Sequence, residues 1–407
     1  VPGSSANRVG GGKLLRRTTT NPKYRTMRSV NQLAGLWLTG RWQYWSPRIL
    51  RHTLTSSASL EALLYSERTS RERVKDIQFK NLGHLLNLIA TKNYFWKTYF
   101  AEHDIDLNIL LRERNIEIFP VLDKLFYRRM PTNSYLVPIP KLPSSQYFTS
   151  GSSGIPFHFA LDDLSIFWRS LHALRGNSWA GHQAEDGFIR VFRPDYPDPM
   201  RRNIEAYSIF LQWNRLDTHY EFLRNQERPA ILYGFIEYFR ELMEHIPANH
   251  ELNIRSIIIT GERCRAKERK QIESFFRVPV YVSYSSREFG RIAQECEYQD
   301  GHHINAERFF VEVVGDTGHQ LPEGQTGKIL ITDTRNLVMP FLRFDIGDTG
   351  YISTAPCHCG RTLPRLYVED RSTDRVTLPD GKRMRPFALF AFLNRFDWIL
   401  RYQIVQN

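Results

Sequence analysis

Residues 254–284 constrain the chain more than any other stretch. Ile254 to Thr260 is a short apolar run that ends at Gly261. Ala266 to Phe276 is a charged segment that sets Ile272, Phe275 and Phe276 on one side, and Val278 to Tyr284 alternates apolar and polar residues. A strand, a helix and a second strand joined this closely imply parallel strands with a right-handed crossover. Ligands of open α/β sheets bind at the carboxyl ends of such strands. Here those ends are Gly261-Glu262 and Tyr284 to Gly290.

The flanking elements agree with this α/β reading. Upstream, Gln78 to Thr91 carries Phe79, Leu82, Leu85, Leu86 and Ile89 on one helical stripe. Asn93 to Phe100 is aromatic and suited to dock on it, and Ile118 to Lys124 reads as a connector. Asp162 is placed to cap a helix with Leu164, Phe167, Leu171 and Leu174 on one face. Arg190 to Pro199 reads as a Pro/Asp-rich crossing, and Leu232, Ile236, Phe239, Met243 and Ile246 predict a buried helix stopped by Pro247. Downstream the pattern turns to β. Phe309 to Val314 and Lys328 to Thr332 predict strands, Pro340 to Ile352 encloses a tight Asp345-Ile346-Gly347-Asp348 turn, and an antiparallel barrel or edge sheet is expected. After Asp374, a hairpin at Pro379-Asp380-Gly381 leads into a helix through Phe387 to Phe396.

Charge matters through its position. The net charge is +12, but Val1 to Leu60 holds ten Lys/Arg and no Asp or Glu, leaving only +2 on the remainder. The folded part therefore lacks a polyanion-binding signature, and nucleic acid is not an expected partner. The basic start is expected to be a poorly ordered tail of residues 1–60, with an import signal as the other reading. No run of eighteen apolar residues occurs, and Gln32 to Trp45 is at most a surface-lying amphipathic piece. Four cysteines in 407 residues do not build a disulfide framework, which points to a reducing compartment, the cytoplasm.

Tyr147 to Pro156 reads Tyr-Phe-Thr-Ser-Gly-Ser-Ser-Gly-Ile-Pro. Glycines that permit φ > 0 and a row of hydroxyls can turn successive amides and side chains onto one anion. A Ser/Gly cluster of this kind is otherwise a linker. Phe157, Phe159 and Leu161 alternate after it, so the loop is expected to join two strands.

Thr149 to Pro156 resembles the T-S-G-T-T-G-x-P phosphate loop of adenylate-forming enzymes, and Tyr284 to Glu288 resembles their Y-G-x-x-E segment. Thr260-Gly261-Glu262 falls where that family has G-G-E, Arg343 to Thr349 resembles R-x-x-x-G-D, and Glu369 to Val376 resembles the G-R-x-x-D hinge. Five marks in the family's order are specific where any one alone is weak. Phe119 to Lys124, Cys357-His358-Cys359-Gly360-Arg361 and Tyr402 to Gln406 resemble, more narrowly, the phenylacetate-coenzyme A ligases and their capsular-polysaccharide-locus relatives. The resemblance implies residues 61–374 as a large nucleotide- and acid-binding domain, with parallel or mixed sheets flanked by helices and a small β-barrel-like part. It implies residues 375–407 as the start of a truncated α+β C-terminal subdomain. The family's C-terminal lysine would lie beyond Asn407, so slow adenylation by these residues alone is the expectation.

The resemblance further implies an acid-thiol ligase that uses ATP, Mg2+ and coenzyme A. Thr149, Ser150, Gly151, Ser152, Ser153 and Gly154 would cradle the phosphates, Thr149 and Glu288 would act in catalysis, and Glu288 would hold Mg2+. Gly261, Glu262 and Tyr284 would border the adenine, Asp348 the ribose, and Arg371 the ribose or a phosphate. Each has a plainer reading: Asp348 as a turn former, Glu288 as a solvated charge, Tyr284 as core. Three departures stand out, with Ile155 where many relatives carry Lys, Ser285 for Gly and Asp370 for Gly. Trp168, His172, Tyr233, Gly234 and Phe235 fall where relatives line the acyl pocket, yet aromatic residues so spaced serve equally as core.

Cys357-x-Cys359, with Cys296 and His303 in the family positions, makes a Cys3His set suited to structural Zn2+. Free buried thiols are the other reading, and His302 rivals His303. The acyl acceptor is expected to be coenzyme A, with a carrier-protein thiol or an amine or sugar of polysaccharide assembly as the alternative. A non-catalytic scaffold or nucleotide-sensing protein with a basic, nucleic-acid-binding tail is the third reading. An aryl acid is the expected substrate, stable membrane insertion is not expected, and a homodimer is compatible with all of this.

Overall fold

The computed structural model describes residues 53–131, 134–149, 157–183, 185–192, 209–212, 216–371, 376–377 and 383–384. The N-terminal region is helical: α1 (Thr53–Ser66), α2 (Arg71–Lys92), α3 (Tyr94–Glu102), α4 (Leu107–Glu113) and α5 (Lys124–Arg129). Leu82, Leu85, Leu86 and Ile89 of the α2 stripe are buried as their spacing requires and Phe79 is half-buried; Trp96 of α3 is fully enclosed, its indole N–H donating to the Tyr135 carbonyl at 3.0 Å. The expected tail boundary at residue 60 moves back to at least 53. Leu60 and Leu63 of α1 pack on Leu171, so residues 53–60 belong to a docked helix despite their lack of acidic residues.

A hairpin of β1 (Ser144–Phe148) and β2 (His158–Asp162) leads into α6 (Asp163–Trp179). The Asp162 carboxylate accepts from the Ser165 amide at 2.7 Å, and also from the amides of Leu337 and Val338 at 2.7 and 3.1 Å. The cap thus ties α6 to a distant loop. The face of α6 differs from expectation: Leu171 and Leu174 are buried, whereas Leu164 and Phe167 are half-buried. This helix is packed on more than one side, and it encloses Arg169, His172, Arg175 and Asn177 as well.

β3 (Gly187–Phe192), β4 (Ile209–Gln212), α7 (Leu216–Arg224), β5 (Ala230–Gly234), α8 (Ile236–His245), β6 (Ile254–Thr260), α9 (Ala266–Phe276) and β7 (Val280–Ser286) follow, with all five strands parallel. The strand-helix-strand unit is as expected. Two neighbouring segments are corrections. Arg190 to Phe192 lies in β3, and Leu232 lies in β5 ahead of the helix, because a strand buried on both faces reads as an unbroken apolar run indistinguishable by period from a helix.

β8 (Gly290–Glu295), β9 (His302–Ile304), β10 (Phe309–Val314), β11 (Gly327–Asp333), β12 (Phe341–Ser353) and β13 (Arg365–Arg371) pair antiparallel and continue the parallel strands. The result is one 11-stranded mixed sheet in the order β10-β11-β12-β13-β9-β8-β7-β6-β5-β3-β4, so that of the expected barrel or edge sheet it is the edge sheet that forms. The Asp345–Asp348 turn is likewise a bulge inside a 13-residue strand. Gly347 takes φ +85° and donates to the Asp345 carboxylate at 2.8 Å, so the turn chemistry is present locally while the ladder resumes on either side. β14 (Val376–Thr377) and β15 (Arg383–Met384) form the hairpin expected around Pro379-Asp380-Gly381. The basic start to residue 52, the helix expected at Phe387–Phe396 and the segment Tyr402–Gln406 lie outside the described residues. Among the described residues no helix is long and apolar enough to cross a membrane.

Candidate active site and thiol cluster

The β1–β2 ladder extends one step beyond its last strand pair. The Thr149 amide donates to the Phe157 carbonyl at 2.9 Å, and the Phe157 amide donates to the Thr149 hydroxyl at 3.1 Å. The hydroxyl-rich loop therefore springs from a closed two-residue base. Thr149 stands at that base; Ser150, Gly151, Ser152, Ser153 and Gly154 lie outside the described residues.

The segment before α5 reaches this base because its backbone is paired elsewhere. Leu122 exchanges hydrogen bonds with the backbone of Arg343 and Asp345 on β12, and Asp123 caps α5 by accepting from the Phe126 amide at 2.8 Å. Lys124, the first residue of α5, then sits with its ammonium 5.8 Å from the centre of the Phe157 ring and 3.0 Å from the Glu288 carboxylate. Glu288 is only 3% exposed, so the lysine supplies charge that a buried carboxylate needs. Arg287 lies over the Phe148 ring at 5.9 Å, and Arg169 donates to the carbonyls of Arg287 and Glu288. Sequence reasoning assigned no role to Lys124. Its one local signal is the Asp123 cap.

At the end of β7, the Tyr284 hydroxyl donates to Asp348 at 2.7 Å, which joins the tyrosine to the bulge of β12. Arg371 stands opposite Asp348 in the β12–β13 register. At the end of β6, Gly261 has φ +75°, and a Cβ there would lie 2.5 Å from the Phe235 ring. Glycine is required on both counts. Glu262 follows it, half-buried. Two groupings thus form: Tyr284 with Asp348, and Glu288 with Lys124, whose ammonium lies near the ring of Phe157, the residue that pairs with Thr149; Gly261 ends β6, the strand next to β7. Arg343 serves structure instead: it is buried, pairs with Glu312 at 3.0 Å and donates to the Phe119 and Gly318 carbonyls at 2.8 and 2.6 Å.

The second constellation lies at the ends of β8, β9 and β12. Cys296, His303, Cys357 and Cys359 are all buried, and their donor atoms lie within 4.8 Å of one another. Cys296 Sγ and Cys357 Sγ are 3.8 Å apart, and Cys359 Sγ is 3.3 Å from His303 Nε2. A tetrahedral site with Zn–S bonds of about 2.3 Å has sulfur–sulfur edges of about 3.8 Å, so the donor set fits zinc. His303 Nδ1 is 3.0 Å from the Leu363 carbonyl, which fixes the tautomer that leaves Nε2 as the ligating nitrogen. His302, the rival, has its Nδ1 3.0 Å from the Leu366 carbonyl and points to the other side of β9.

No family model matches the chain. A phenylacetate-coenzyme A ligase of Thermus thermophilus is 29% identical over 369 residues, spanning 83% of this chain and 79% of that protein. Among solved structures, an open conformation of 2-hydroxyisobutyryl-CoA ligase in complex with 2-HIB-AMP and CoA aligns with a TM-score of 0.64 at 20% identity, covering 82% of each chain. The same ligase in its postadenylation state with 2-HIB-AMP aligns with a TM-score of 0.67 at 19% identity, covering 82% of this chain and 74% of that one. These likenesses establish the fold.

Proposed function

We propose that the chain belongs to the adenylate-forming superfamily on its phenylacetate-coenzyme A ligase side, and that it activates a carboxylic acid with ATP and passes the acyl group to the thiol of coenzyme A. The observation that supports the reading best is the Tyr284–Asp348 hydrogen bond at the carboxyl end of β7, with the buried Lys124–Glu288 pair in the segment that follows that strand. An acid oxygen attacks the α-phosphorus of ATP as the bond to pyrophosphate breaks. The thiol then attacks the acyl carbon and AMP leaves.

Two anions meet in the first step, so the site's work is to screen charge and align the attack. Thr149 and the hydroxyls and amides of Ser150 to Gly154 receive the β- and γ-phosphates, and Lys124 adds a cation where Ile155 supplies none. Gly261 and Tyr284 border the adenine, with Glu262 beside them. Asp348, oriented by Tyr284, accepts from the ribose hydroxyls, and Arg371 stands across the ladder from it. Glu288 is the buried carboxylate suited to Mg2+, which when bound neutralises the departing pyrophosphate. Acid-dependent pyrophosphate release, with thioester formed only when coenzyme A is added, tests this function; ATP binding without any acid-dependent release across a broad acid panel would refute it.

The Cys3His cluster is proposed as a structural zinc site, closed to substrate by its burial and its four protein ligands. It joins the β12–β13 turn to β8 and β9. Metal analysis of the purified protein is expected to find one zinc per chain, lost in Cys359→Ser together with several degrees of thermal stability. Zinc-free protein of unchanged stability would remove the proposal.

A further inference from the structure

The parallel strands carry two layers of different chemistry on the face turned toward α6. Near the middle of the sheet, Phe188, Ile231, Ile258 and Tyr281 pack with Ala180 in an apolar cluster that also takes in the ring of Tyr233, whose phenol reaches beyond it. Two residues further along each strand, on the same side because side chains alternate, the layer becomes polar. It comprises Arg190, Tyr233, Thr260, Ser283 and Ser285, with Arg291 from β8. Arg190 stands opposite Tyr233 in register, its guanidinium 5.0 Å from the centre of that ring. Arg291 stands opposite Ser285, 5.4 Å from the same ring, and is anchored to α6 through the Ala173 carbonyl and the Asn177 side chain at 2.9 and 2.8 Å.

The hydroxyls form a second line. Ser283 and Ser285 Oγ are 2.9 Å apart, and the Tyr233 phenol is hydrogen-bonded to Thr260 and Ser285. Burial alone would raise that phenol, yet the Arg291 and Arg190 charges and the two hydroxyls bring it below its ordinary value, a sign of positive local potential. The layer ends where the candidate nucleotide residues begin: Gly261 follows Thr260, and Tyr284, between Ser283 and Ser285, projects to the opposite face of β7. A wall made only for packing would repeat the aliphatic and aromatic residues found one step below. Clustering two cations and four hydroxyls there carries a desolvation cost that a matching ligand group would offset.

We propose that this layer is the acid-selecting wall of the site, and that it favours acids whose acyl chain ends in a second oxygen function, a carboxylate or a hydroxyl, over hydrocarbon or plain aryl chains. The inference rests on the ligase reading and replaces its aryl acid with a polar one. Adenylate mimics test it without turnover: 5′-O-sulfamoyladenosine acylated with hexanoyl, 6-hydroxyhexanoyl or adipoyl groups, titrated calorimetrically against the protein. At least one oxygen-ended mimic is expected to bind about tenfold or more tighter than the hexanoyl mimic, the worth of one hydrogen bond to a charged group. Arg190→Met is expected to bring the adipoyl ratio close to one, and Tyr233→Phe to reduce the hydroxyhexanoyl ratio. Equal affinity for all three mimics, or a ratio that survives both substitutions, would overturn the polar wall and leave the ligase reading intact. Failure of every mimic and of ATP to bind would instead overturn the ligase reading.

Discussion

Glu288→Gln is expected to lower acid-dependent pyrophosphate release about 10²–10³-fold, the usual effect of removing one group that stabilises charge in a transition state. The carboxylate is buried and faces Lys124 at 3.0 Å, so it is held in place before any nucleotide arrives. The substitution keeps its shape but removes the negative charge that a divalent cation needs. The fold should tolerate it, because the Lys124 side chain is 36% exposed and can be solvated when its partner is neutral. Lys124→Met should act differently. It strips charge from the phosphate side of the site, and its main effect is expected on the KM for ATP. Measuring kcat and KM for both variants separates these roles; wild-type rates in Glu288→Gln would exclude Glu288 from the chemistry.

Arg175→Met is expected to destabilise the protein by about 3–5 kcal/mol, the cost of leaving one member of a buried ion pair without the other. Arg175 is fully enclosed and grips both oxygens of Glu307 at 2.6 and 2.9 Å, while also donating to the Leu63 carbonyl and the Asn305 side chain. Ser66 adds a hydrogen bond to the same carboxylate, so the network pins α1 and α6 to the segment before β10. Burial by itself would raise the Glu307 carboxyl, but the charge and hydrogen bonds of Arg175 hold it below the ordinary 4.5. A depressed folded-state value stabilises above the unfolded-state value and is lost as pH falls through the folded one. The gap between wild type and Arg175→Met is therefore widest near pH 7 and narrows on acidification below about 4.5. Urea unfolding at both pH values measures it. A gap independent of pH would mean that the charge on Glu307 plays no part.

Much of the site was legible because its signals are local. Gly261 and the Tyr284–Glu288 segment lie at the ends of β6 and β7, whose periods can be read directly and whose parallel pairing sends both ends the same way, while the Ser/Gly loop joins the strands of a separate two-stranded sheet. Of the cysteine and histidine candidates, Cys357-x-Cys359 signalled itself by spacing, whereas Cys296 and His303 were reached through resemblance, since Cys296 and Cys357 are far apart in sequence and meet at 3.8 Å only after β8, β9 and the β12–β13 turn are stacked. β5 was misread for a physical reason as well. Leu232 and Ile236 sit four apart, and a doubly buried strand followed at once by a helix mimics one longer helix.

Taken alone, the amino-acid order determined the α/β class, the strand on either side of the hydroxyl-rich loop, the parallel β6–β7 pair and the chemistry of the candidate ligands, because turn residues, caps and hydrophobic periods act within a few residues of themselves. Tertiary structure decided the rest. Lys124 reaches Glu288 only because Leu122 pairs with β12, Asp348 meets Tyr284 only through a bulge in that strand, and the antiparallel strands extend the parallel sheet instead of closing into a barrel. Pairing between distant strands depends on which edges remain open once the neighbouring elements have packed, and no local pattern records that.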